Sequence, residues 1–173
     1  MRLVFLAFLL STAACRSGAQ SVEGAPTAAP AGREIDHLYR SALSGLKDSL
    51  LLVVRDSMSL IDIWTRVRAR HVVAGPPPIV DFDQTTIVVA ALGERPSTNF
   101  WIAVDSTFVR EGRRIVSVTR FTVEGDCSGG QMLTSPVELA ATPNDGLPLE
   151  FVERTRVLPH CAGGRPGPPP DIP

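Results

Sequence analysis

Three cysteines (Cys15, Cys127, Cys161) and three histidines (His37, His71, His160) are the side chains with the most chemistry to offer. Metal ligation would draw on Cys127, Cys161 and the adjacent His160, but two thiols and one imidazole lack a convincing fourth ligand. Asp81 and Asp83 form one DxD without further carboxylates nearby, and helix-to-strand turn chemistry accounts for the pair as well. Ser106, Ser117, Ser128 and Ser135 offer hydroxyls, none in the strand–turn–helix context of a nucleophile elbow. The histidines fall near the start of the domain, at the end of an Arg-rich helix and beside Cys161, so none has an evident nucleophile to serve. No metal, no cofactor and no catalytic residue is expected, and the chain reads as non-enzymatic.

Binding residues are easier to find. A loop at residues 93–99 carries Arg95, Ser97 and Asn99 and runs directly into an alternating strand at residues 100–109. Alternation places Trp101 on the face opposite Phe100, Ile102 and Val104. If that face is open, Trp101 is an exposed aromatic of the type enriched at interface hot spots, and Arg95, Ser97, Asn99 and Trp101 form one patch. If the helix at 59–70 or the first segment covers the face, Trp101 is core.

The start of the chain carries an address. Arg2 is a one-charge n-region, residues 3–10 are an apolar h-region too short to span a bilayer, and Ser11-Thr12-Ala13-Ala14 are small. Residues 1–14 are thus an export signal. With Cys15 next in line, Ala13-Ala14-Cys15 resembles the cleavage motif of a bacterial lipoprotein signal, which implies lipid on Cys15 and an envelope location, in the periplasm or at the cell surface. Two or three acyl chains anchor stably where one is marginal. Assigning Cys15 to lipid leaves Cys127 and Cys161 as a disulfide pair. Residues 15–33 are rich in Ala, Gly, Pro, Ser and Thr and read as a flexible linker that holds the domain about 23 Å from the anchor. A net charge of -1 carries no basic excess and argues against nucleic acid as a partner.

The globular domain occupies residues 34–161, and a Gly/Pro-rich tail at 162–173 is expected to be disordered. Ile35, Leu38, Tyr39, Ala42 and Leu46 fall at helical spacing. Residues 50–54 read as a buried strand. Leu60, Ile63, Trp64 and Val67 make the apolar face of the clearest helix, with Ser59 as its cap in a weak capping box with Asp62. The nearby Arg66, Arg68 and Arg70 suit a solvated helix C-terminus. Gly75-Pro76-Pro77-Pro78 ends the helix and leads into an apolar strand at 87–92. Strands at 100–109 and 114–123, joined by a Glu111-Gly112 turn, complete a three-strand meander. Shorter strands follow at 137–141 and 149–158, separated by the turn Pro143-Asn144-Asp145-Gly146. The expected fold is α+β and mostly β: a single antiparallel sheet, a meander of about five to six strands, with one helix packed across it.

Trp64, the entry Pro78 and Val80-Asp81-Phe82, the loop Gly93-Glu94-Arg95-Pro96-Ser97-Thr98-Asn99-Phe100 and the triplet Thr134-Ser135-Pro136 together resemble the pattern of the PrcB-like C-terminal domain family. The resemblance covers about residues 50–161. It implies an exported interaction module, a subunit or stabiliser of an exported protease complex, with a protease or another envelope protein as partner. The family's Gly-Gly is here Thr98-Asn99, so either the loop is reshaped or a positive torsion falls on Asn99 alone. The same loop also looks like the inhibitory loop of chagasin-type peptidase inhibitors, an alternative function. A small-ligand or envelope-polymer binder is a third.

Overall fold

Strand β3 (Thr85–Ala91) is the layer on which everything else rests. Its near-continuous apolar sequence is what a strand needs when both faces are covered. Ile87, Val89 and Ala91 join a core with the helix, while Val88 and Ala90 join a second core with Ile102, Val104, Val116 and Val118. The computed structural model describes residues 35–72, 75–123 and 131–158.

Around β3 the chain places β1 (Asp36–Ser41), β2 (Leu50–Val54), α1 (Ser57–Val67), β4 (Phe100–Arg110), β5 (Arg113–Val123), β6 (Val137–Pro143) and β7 (Leu149–Leu158). The class is α+β and mostly β, with one helix among the described residues. Two sheets replace the expected one: a four-stranded sheet in the order β1-β6-β3-β2, and a three-stranded sheet in the order β4-β5-β7. The layers run helix, four-stranded sheet, three-stranded sheet.

The meander is also corrected. β3 pairs with β2 and β6, and only β4 and β5 form a hairpin. A strand buried on both faces needs partners on both edges and cover above and below, which a simple meander cannot supply. β7 pairs with β5 in parallel, not antiparallel, from Arg114↔Leu149 to Val123↔Leu158. β6 makes this possible, because it takes the chain across to the other sheet before β7 returns.

The first segment is a strand, not a helix. β1 pairs with β6, and a bulge between His37 and Tyr39 resets its alternation. Ile35 therefore joins the inter-sheet core, Tyr39 joins the helix core, and Arg40 returns to the Glu138 side of the sheet. One inserted residue turned a period of two into a spacing that imitates 3.6.

Helix α1 buries Leu60, Ile63, Trp64 and Val67, the expected face. It starts earlier than expected and is capped by Asp56, whose carboxylate accepts from Ser59 N at 2.8 Å and Ser59 Oγ at 2.7 Å. Ser59 is thus a donor to the cap. At the other end Gly45 N donates to Val67 O at 3.1 Å, and the helix sits so close that a Cβ on Gly45 would lie 2.3 Å from Arg66 O. The Asp81/Asp83 pair is a turn, with Asp83 N donating to Asp81 Oδ1 at 3.0 Å. Among the described residues no helix is long and apolar enough to cross a membrane.

Candidate interaction site

The loop between β3 and β4 begins at Gly93, whose φ of +73° and close approach to the backbone of residues 47–49 exclude a side chain. Glu94 N then donates to Lys47 O at 2.9 Å. Arg95 and Thr134 exchange both backbone bonds, at 2.8 and 2.9 Å, and Thr134 Oγ1 donates to Ser97 O at 2.9 Å. Ser97 Oγ accepts from Asn99 N at 3.3 Å, and Asn99 O accepts from Val123 N at 3.0 Å. The next residue of the Thr-Ser-Pro triplet is held just as firmly: Ser135 N donates to Ala42 O at 2.9 Å, and its hydroxyl accepts from Ser44 N at 2.9 Å and donates to Ser44 O. Thr134 and Ser135 are buried, so these bonds are made in a dry setting, where leaving them unmade is expensive. The two motif stretches fasten each other and tie the β3–β4 loop to the end of β1.

Among the described residues Glu111, in the β4–β5 turn, is the one non-glycine with positive φ (52°). Neither Thr98 nor Asn99 adopts the left-handed region. Asn99 therefore carries no positive torsion.

Of the four residues expected to form a patch, Arg95 is half-buried at the edge of a groove and Trp101 is covered. Trp101 is only 7% exposed and stacks on Phe121, with ring centroids 5.1 Å apart and planes 8° from parallel. The Arg156 guanidinium lies over the far partner of that stack, 5.8 Å from the Phe121 centroid. The first segment is what lies near Trp101, since Arg40, Ser41 and Ala42 line one small cavity with it, whereas α1 belongs to the other side of the four-stranded sheet. Ser97 and Asn99 serve the loop's own framework.

Arg95 borders an open groove of about 430 Å³, lined also by Leu92, Phe100, Arg120, Phe121, Thr122 and Thr155. The groove borders the inter-sheet core, to which Leu92 belongs and against which Phe100 packs. Arg95 Nη1 donates to Glu94 O at 3.0 Å, and Arg120 is paired with Glu153 of β7. With Leu92, Phe100 and Phe121 as apolar lining and Arg95 and Arg120 as donors, the groove is a surface for a polypeptide or ligand with both apolar and acceptor groups. Arg120 and Thr155 escaped the sequence reading. Their signal was present in part, because Arg120 continues the side of β5 that carries Val116 and Val118.

Glu138 was missed altogether. It is fully buried between the sheets and accepts from Arg40 Nη2 at 2.7 Å, from Val104 N at 3.1 Å and from His37 Nδ1. One carboxylate thereby joins β1, β6 and the edge strand β4. A similar role at the opposite end falls to Arg114, buried and paired with Asp145, which it holds below the usual carboxylate range. On the helix side Tyr39 OH meets His71 Nε2 and Arg68 Nη1, each at 3.2 Å, and Arg68 lies over both the Tyr39 and Trp64 rings.

Among the described residues no group of three or more His, Cys, Asp or Glu side chains is placed to hold a metal. Cys15, Cys127 and Cys161 lie outside the described residues. Compared with protein-family models, with curated proteins and with solved structures, the chain gives no match.

Proposed function

We propose that this protein is a non-enzymatic envelope lipoprotein whose domain docks another exported protein, as a subunit or stabiliser of a protease complex. Cys15 carries the lipid, residues 16–33 are the tether, and Cys127 pairs with Cys161. The observation that carries the docking role is the groove beside the β3–β4 loop. It is open, it is bordered by a loop held on both sides by hydrogen bonds, and it presents the half-buried Phe121 and Arg95 from that frame. A rigid frame lowers the entropy lost on binding, which is how a small patch supports useful affinity.

The reading is tested by charge reversal at the groove. Arg95→Glu should abolish co-purification of the exported partner from the native host while leaving the thermal midpoint within a few degrees of wild type. Retention of the partner by a folded Arg95→Glu protein would sink the groove as the docking face.

A further inference from the structure

A free sheet edge offers unpaired backbone N–H and C=O groups to any strand that comes alongside, and proteins blunt such edges by recognisable means. Among the described residues the edge strands are β1 and β2 in one sheet, β4 and β7 in the other. β1 carries the bulge between His37 and Tyr39, and β4 carries an irregularity between Val104 and Ser106. The Val104 N–H of β4 is also taken, by Glu138. β2 is only five residues long, half-buried until it ends in the buried Val54. β7 has none of these devices. It runs ten residues in unbroken register against β5, and among the described residues no strand pairs with its other edge.

Charge is the one protection β7 has, and its pattern favours a particular partner. Glu150, Val152 and Arg154 lie beside Ile115, Ser117 and Thr119, on the face turned away from the inter-sheet core. Phe151 and Glu153 lie beside Val116 and Val118, on the core face. A second β7 laid antiparallel to the first is related to it by a two-fold axis normal to the sheet, so each residue meets one from its own face. An axis at Glu153 or at Arg154 opposes like charges, and one at Thr155 opposes Arg154 with Arg156. An axis at Phe151 leaves Glu150 and Glu153 opposite Val152 and Leu149. An axis at Val152 sets Glu150 of each copy opposite Arg154 of the other, with the two Val152 side chains between them. On the core face that register opposes Phe151 with Glu153 and Leu149 with Thr155, and no like charges meet.

The side chains this register needs are available. Arg154 is exposed and makes no hydrogen bond or ion pair among the described residues. Glu150 Oε2 accepts from Arg113 Nη1 at 3.2 Å, which leaves its Oε1 for a second donor. Glu153, by contrast, is already held by Arg120 of its own chain.

We infer that β7 is a homodimer seam: two copies of this chain pair antiparallel through β7 about Val152, joining their three-stranded sheets into one continuous sheet. The inference rests on the edge alone and is independent of the groove and its partner.

The test is sedimentation equilibrium of the full-length protein in density-matched detergent, with micelles in excess of protein. The wild type should dimerise reversibly as concentration rises. Glu150→Arg and Arg154→Glu each set like charges opposite one another and should each weaken the dimer at least about tenfold. An equimolar mixture of the two variants restores opposite charge at both pairs, so it should recover the wild-type affinity as a heterodimer. A thermal midpoint within a few degrees of wild type identifies a variant as folded. A photoreactive phenylalanine analogue at Val152 gives a second reading with no change of charge: it should crosslink two copies, and the same group at Glu111 in the β4–β5 turn should not. The seam would be overturned by a monomeric wild type or by a dimer that either folded variant leaves intact. A mixture of folded variants no tighter than its components, or equal crosslinking from the two positions, would overturn it as well.

Discussion

Glu138 concentrates the energetics of the inter-sheet layer in one side chain. Its neighbours Val137 and Leu139 face the helix core, so the alternation in Val-Glu-Leu-Ala-Ala assigns Glu138 to solvent. The structure buries it because the four-stranded sheet is covered on both faces, a property of the assembly and not of the pentapeptide. Removing one partner of a buried ion pair strands the others, and Glu138→Ala should lower the unfolding free energy by about 3–5 kcal/mol. Denaturant titration of the variant checks this, and a loss of less than about 1 kcal/mol would mean Arg40 and His37 find other partners. Asp145 gives a pH signature. The hydrogen bond from Arg114, more than the opposing effect of burial, holds its carboxyl below the usual range. A lowered folded value adds stability above about pH 4 that is lost as pH falls through the folded value. The stability difference between wild type and Asp145→Asn should be flat from about pH 6 to 8 and shrink below about pH 4. Because Asp145 is 32% exposed, the pH-dependent part should stay under about 1 kcal/mol.

Among elements, turns test the fold most cleanly. Gly93 and Gly112 share nearly the same torsion, φ +73° and +72°, but a Cβ on Gly93 would lie 2.5 Å from Lys47 O while one on Gly112 meets nothing within 4 Å. Alanine at Gly112 should cost about 1 kcal/mol for the torsion alone. Alanine at Gly93 should cost more, by about 1–3 kcal/mol, because the β3–β4 loop must also move off residues 47–49. Equal losses in thermal or chemical unfolding would show that the loop is not seated as described. The elements themselves were largely legible: the apolar face of α1, the extents of β2, β3, β4 and β5 and the Glu111-Gly112 turn all follow from periodicity and turn chemistry. Two things were hidden. The bulge in β1 mimicked helical spacing, and the pairing of strands far apart in sequence split an expected meander between two sheets. Local pattern reports which face a residue wants to bury; it does not report which distant strand will cover it.

At the scale of the whole molecule, the domain presents a hydrogen-bonded loop, a groove and a small pocket on one surface, and the proposed role gives the sequence ahead of it the parts of an export signal, a lipidated cysteine and a tether. The candidate site was half legible. Arg95 could be singled out because a loop before an alternating strand is visible in sequence, while the choice between an exposed and a covered Trp101 stayed open because its stack on Phe121 depends on β4–β5 register and on cover from the first segment. The proposed Cys127–Cys161 pairing belongs to this scale too. Reducing agent should lower the thermal midpoint of the mature protein, and Cys127→Ser should remove that sensitivity. An unchanged midpoint on reduction would refute the disulfide. The most direct measurement of the docking role is site-specific photocrosslinking in the native host, with a benzophenone amino acid at Thr122 in the groove and, as control, at Met58, which is 77% exposed on α1 beyond the four-stranded sheet. A discrete adduct with one exported protein from position 122, absent from position 58 and lost on Arg95→Glu, is the predicted result. Adducts of the same kind from both positions, or from neither, would contradict it.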